Sequence, residues 1–145
     1  MNDNTLVIKK IFNAPAEKVF AAWTDPDMVK KWYGPEGMTT DIHEMDVREG
    51  GVYRLTMKSP DGAVHPLRGT FTAIQRPTRL EMTWQWESEG AGDEEGPETT
   101  VKVELVEKEG KTEMTLTHEL TSKEACDMHQ QGWESSFTKL EKILV

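Results

Sequence analysis

The sequence predicts one α+β domain in which a long C-terminal helix lies across a curved antiparallel sheet of six or seven strands. Three observations predict it. Runs through the middle of the chain alternate apolar and polar residues, the last quarter switches to a helical period, and two short helix signals follow the first strand. A chain of 145 residues fits a single domain, 1–145, and can bury roughly 68–70% of its unfolded surface without a disulfide or metal.

Residues 5–12 read as a strand, because Leu6, Ile8 and Phe12 share one parity. Pro15 suits the first position of a helix, where its missing N–H is no loss, and Val19, Phe20, Ala22 and Trp23 form that helix's apolar side. Asp25-Pro26 repeats the signal with Asp25 as cap, and a second short helix carries Met28, Val29 and Trp32 until Gly34-Pro35. Strands are then expected over 39–47, 52–58 and 64–75, the last bent at Pro66 or Gly69. Leu80, Met82, Trp84 and Trp86 alternate with polar residues as a half-buried strand. Val101, Val103 and Leu105 do the same, as do Met114, Leu116 and His118. In the last element Thr121 and Glu124 are spaced as a capping box, and Cys126, His129, Trp133, Phe137, Leu140 and Leu144 form one helical stripe. A helix of about twenty residues is about 30 Å long, enough to cross a sheet.

The formal charge of −9 repels phosphate, which excludes a basic nucleic-acid-binding face and disfavours an anionic membrane. No apolar run approaches a membrane span or signal peptide. The single cysteine, Cys126, suits a reducing compartment, so the expectation is a cytoplasmic protein. The acidic, Gly-rich segment 87–98 reads as a solvated, mobile hairpin loop or as a partner-docking arm.

Several stretches together carry a family resemblance. They are Ala14-Pro15, Val19-Phe20, Ala22-Trp23-Thr24-Asp25-Pro26, Trp32 with Gly34-Pro35, and Asp46-Val47-Arg48 with Gly50-Gly51. Gly62, Gly69, Pro77, Arg79-Leu80, Gly132-Trp133, Phe137 and Leu140 follow in order. As a set they resemble the family similar to the C-terminal domain of the heat-shock-protein-90 ATPase activator, within the START/Bet v 1-like (SRPBCC) superfamily. The resemblance implies the helix-grip fold and a pocket, not a shared reaction. Relatives include ligand carriers, chaperone regulators and a few polyketide-cyclase-like enzymes, and fold alone does not choose among them. The chain lacks a counterpart of the namesake's separate N-terminal domain, which counts against direct stimulation of a chaperone ATPase.

Parity and the helical stripe aim Met82, Trp84, Trp86, Met114, Leu116, His118, His129, Trp133 and Phe137 into the space between sheet and helix. A packed core is the simpler reading of most of them. The implied fold and the excess of large residues, with five Trp and eight Met, favour a site for a small apolar ligand. His118 and His129 are either hydrogen-bonded structural imidazoles or groups that orient a ligand or act as acid or base. Arg48 is a candidate for holding a carboxylate, with a surface salt bridge as the simpler reading; Arg54 and Arg68 are further candidates. Cys126 and His129, three apart, are too few for a metal site and lack an orienting third group for a nucleophile. No catalytic residue, metal ligand or cofactor is therefore assigned. His43 and His65 have no assignable face. The expected function is binding of a small hydrophobic or aromatic molecule. A chaperone-regulating or other protein-interaction module and a cyclase- or hydratase-type enzyme are the alternatives.

Overall fold

The computed structural model describes residues 4–34, 37–86, 98–120 and 122–144. Strand β1 (Thr5–Phe12) is followed by helices α1 (Ala16–Thr24) and α2 (Pro26–Trp32). Six strands come next: β2 (Thr39–Met45), β3 (Val52–Lys58), β4 (Val64–Gln75), β5 (Arg79–Trp86), β6 (Thr99–Lys108) and β7 (Lys111–Glu119). Helix α3 (Lys123–Ile143) closes the chain. The strands form one seven-stranded sheet in the order β1-β7-β6-β5-β4-β3-β2. Every neighbouring pair is antiparallel. The acidic segment 87–97 lies outside the described residues, as do Pro35 and Thr121.

Alternation put the right side chains inside. Leu6, Ile8 and Phe12 of β1, Leu80, Met82 and Trp84 of β5, and Met114, Leu116 and His118 of β7 are all buried; charged or polar residues stand between those of β5 and β7, while β1 also turns Val7 and Ile11 outward. Curvature has a local cause. Register slips occur between Ile42 and Glu44 in β2 and between Phe71 and Ala73 in β4, and an extra residue on one strand bends it. The bend expected at Pro66 or Gly69 therefore falls further along, since Thr56↔Pro66 and Tyr53↔Gly69 stay in register. Gly69 serves a close approach instead. A Cβ there would collide with the Thr83 carbonyl and the Tyr53 ring, whose hydroxyl donates to that same carbonyl.

Local chemistry sets the helix starts. Asp25 caps α2 as expected, its Oδ1 accepting from Asp27 N at 3.0 Å with Pro26 in the first turn. Pro15 stands one place earlier than expected, as the N-cap of α1; the freed Ala16 N–H donates to the Glu107 carboxylate at 2.8 Å. Helix α3 is capped by Ser122, whose Oγ accepts from Ala125 N at 3.0 Å. The cap is thus Ser122, one residue nearer the helix than the capping box expected from Thr121, which lies outside the described residues.

Helix α3 lies over the inner face, burying Cys126, Trp133, Phe137 and Leu140, and its C-cap Leu144 is buried with them. Its backbone comes near α2 and β1, and elsewhere it meets the strands chiefly through side chains. The spacers are large rings, and these define the site.

Candidate functional site

Trp84 of β5 packs among the interior rings. Its centroid is 5.0 Å from Trp133 of α3, 5.9 Å from Tyr33 and 5.7 Å from His118. Behind it, Trp23, Trp32 and Phe137 continue the cluster, with Trp23–Trp32 at 4.7 Å and Trp133–Phe137 stacked at 5.5 Å. The space expected to hold a preformed pocket is, along this line, occupied by rings in mutual contact. Met82, Met114 and Leu116 lie buried on the sheet beneath.

One hydrogen-bonded relay ties α3 to three strands. An indole N–H can only donate, so Trp133 Nε1–H donates to His118 Nδ1 at 3.2 Å, and this leaves the proton of a neutral His118 on Nε2. That Nε2–H donates to Thr99 Oγ1 at 2.8 Å, and the Thr99 hydroxyl donates to the Trp84 carbonyl at 2.9 Å. A second proton on His118 would point N–H at N–H. Burial, with a smaller contribution from nearby His129, pushes its pKa down to about 3. With both nitrogens engaged and so low a pKa, His118 is poorly matched to general-base work at neutral pH. It acts in this arrangement as a structural imidazole.

His129 is different. It is half-buried, its ring lies 5.0 Å from His118, and its Nδ1–H donates to the Ala125 carbonyl at 2.8 Å. That bond leaves the lone pair on Nε2. Trp86 is also half-buried, edge-on to Trp84 at 5.9 Å. Beyond it stands His65 of β4, half-buried, 6.3 Å from the Trp86 ring and opposite Met57 in the register. His65 was not assigned a face from sequence. The signal that could have found it is its parity with Leu67, which faces inward. Rings thus run from β4 through β5 and β7 to α3 along one end of the interior.

The hydrogen-bond ledger of this end has a gap. Trp84 Nε1 is buried and has no hydrogen-bond partner among the described residues. Trp32, by contrast, donates to the Ala22 carbonyl at 2.8 Å, and Trp23 to the Met114 thioether at 3.3 Å. The Tyr33 hydroxyl meets the Met82 thioether at 3.9 Å, long for a hydrogen bond, and burial raises its pKa far above the usual tyrosine range.

Arg48 does not join the cluster. It sits in the turn after β2, exposed, with Nε 2.7 Å from the Asp46 carboxylate, because a partner two residues away captures the guanidinium. Arg54 and Arg68 face outward, opposite each other in the register. His43 is exposed at the β2 register slip and shares a hydrogen bond with Thr56 Oγ1 at 2.8 Å. It borders an open cleft of about 450 Å³ between α2 and β2, lined also by Lys30, Asp41 and Met45. Cys126 is a buried free thiol. Among the described residues no three His, Cys, Asp or Glu side chains gather to hold a metal.

A curved antiparallel sheet gripped by a long C-terminal helix over an aromatic interior defines a helix-grip protein of the START/Bet v 1-like superfamily. The comparisons with known proteins agree. The profile of the activator of Hsp90 ATPase homolog 1-like protein family matches residues 13–145, and the chain belongs to that family. A protein from Chromobacterium violaceum superposes with a TM-score of 0.88 at 22% identity, over 97% of this chain and 96% of that one. An AHSA1 protein from Silicibacter pomeroyi gives 0.83 at 28% identity, over 97% and 96%. CalU16 from Micromonospora echinospora gives 0.71 at 24% identity, over 97% of this chain and 75% of that one. Those below a quarter identity speak for the fold alone. Among curated proteins, none matches the chain. No described helix is long and apolar enough to cross a membrane.

Proposed function

We propose that the protein binds a small hydrophobic or aromatic molecule between the sheet and the N-terminal half of α3. The observation that carries this reading is the incomplete cover at that end, where Trp86, His65 and His129 are half-buried around the buried Trp84. Ligand sites are mostly apolar with a few placed polar groups, and this end has that composition. Trp84, Trp86, Trp133 and Phe137 would supply ring surface, and Met82, Met114 and Leu116 the floor. His118 would hold Trp133 in place, and His129 would face the guest. Because the rings touch, a guest enters by displacing the half-covered Trp86 or by lifting the first turns of α3. Affinity comes from apolar area removed from water, about 25 cal/mol per Å² before the cost of that displacement.

Tryptophan fluorescence titrated against a panel of lipids, flavonoids and polyketides tests the reading. Saturable quenching that is weakened in Trp86→Ala supports it. A panel without effect in the wild-type protein counts against it. The buried free thiol of Cys126 is in keeping with a cytoplasmic setting.

The family description favours a second reading, a protein-interaction module for a chaperone or another partner. Capture of one stoichiometric protein partner whose binding ignores Trp86→Ala would favour this reading over the first.

A further inference from the structure

Resting on that reading, we propose that the indole N–H of Trp84 is the polar anchor of the site, and that it selects guests carrying a neutral acceptor oxygen, such as a carbonyl. Trp84 is 5% exposed, and its Nε1 finds no acceptor among the described residues. A donor left unsatisfied in the interior costs free energy that the fold recovers elsewhere, so such a group calls for a specific explanation. A guest that completes the bond supplies one.

The neighbours are already committed. Trp133 Nε1 is used on His118 Nδ1, and His118 Nε2 on Thr99. The Trp84 ring packs against Trp133 at 5.0 Å and Trp86 at 5.9 Å, so a guest reaching its N–H also meets ring faces and edges. An indole has no acceptor, so a guest that offers only a donor gains nothing from it. Charge narrows the class further. Arg48, the cation considered for a carboxylate, is held at the surface by Asp46, and Arg54 and Arg68 face outward. The depressed pKa keeps His118 neutral beside the rings. A buried carboxylate would meet no cation from these residues, and an unpaired buried charge is far costlier than a carbonyl.

The test uses the whole protein, 15N-labelled, with two rigid probes of nearly equal shape, fluorene and 9-fluorenone, which differ by one carbonyl. The Trp84 indole resonance is assigned by its loss in Trp84→Phe. The expected result is a preference of about fivefold to tenfold for 9-fluorenone, the worth of one neutral hydrogen bond, with a downfield shift of the Trp84 indole proton. In Trp84→Phe the ratio of the two affinities should fall to about one. Equal binding of both probes by the wild-type protein overturns the anchor and leaves the proposed site standing. An indole proton already downfield without probe and unmoved by 9-fluorenone also overturns it, because the chain itself would then supply the acceptor. Failure of both probes to bind overturns site and anchor together. The affinity ratio of the two probes is read in the wild-type protein, so the proposal stays testable if Trp84→Phe does not fold.

Discussion

Around Phe137 and Leu140 the interior is covered, and the polar handles there have partners within the chain. Trp32 donates to the Ala22 carbonyl at 2.8 Å and Thr112 to the Ala14 carbonyl at 2.7 Å, while Phe12 is 0% exposed. Beneath the first turns of α3 the same kinds of residue are arranged differently. Trp86, His65 and His129 are half-covered, and the Trp84 N–H has no described acceptor. The first region has the features that stability selects, and the second holds a buried donor with no acceptor among the described residues. That contrast is the ground on which the proposed site is put at the second end.

The largest difference between the ends should appear on truncation. Phe12→Ala is expected to lose about 3–5 kcal/mol in urea unfolding, since it empties a fully buried volume. Trp86→Ala, already part-exposed, should lose less than half of that. Equal losses would erase the distinction between a sealed end and an open one.

His118 stands at the boundary and comes next. His118→Phe strands the Trp133 and Thr99 groups of the relay and should cost about 2–4 kcal/mol. It also has a pH signature with a definite sign. The folded-state pKa of about 3 lies below the ordinary 6.5, so between those values the unfolded chain binds the extra proton. Stability is therefore full above pH 6.5 and declines as pH falls toward 3, with a slope from this residue of up to about 1.4 kcal/mol per pH unit. Urea midpoints measured across that range in wild type and His118→Phe should differ in slope. Parallel curves would mean that the ring is not buried neutral.

A smaller effect separates two indoles. Trp32→Phe deletes a made hydrogen bond and leaves the Ala22 carbonyl unpaired, whereas Trp84→Phe removes a donor with no described partner. The first should be the more destabilising by about 1–2 kcal/mol, read from thermal or urea unfolding. The reverse order would show that Trp84 is satisfied within the chain. Smallest of all is Arg48→Ala, expected within about 0.5 kcal/mol of wild type because its ion pair with Asp46 is at the surface.

Much of the architecture was legible because burial imposes periods. Leu80, Met82, Trp84 and Trp86 announced both a strand and its inner face, and the stripe from Cys126 to Leu144 announced the helix that covers it. Where a local rule had two candidates side by side, sequence chose less well. Thr121 and Ser122 are both competent caps, and the phase of α3 took the second. Pro66 interrupts the alternation that would have revealed His65, although Leu67 two residues on faces inward. Arg48 was weighed for the interior on chemistry alone, and the nearer Asp46 holds it outside.

What the sequence determined by itself was the set of elements, the faces they bury and the family that this order resembles, since these follow from spacing along one chain. What the tertiary structure alone decided was which of several like side chains is satisfied. Trp84 and Trp133 are chemically identical, and both were expected inside. One meets a lone pair on His118 at 3.2 Å, and the other meets no acceptor among the described residues. Hydrogen bonding depends on distance and direction between residues far apart in sequence, and no periodicity encodes that.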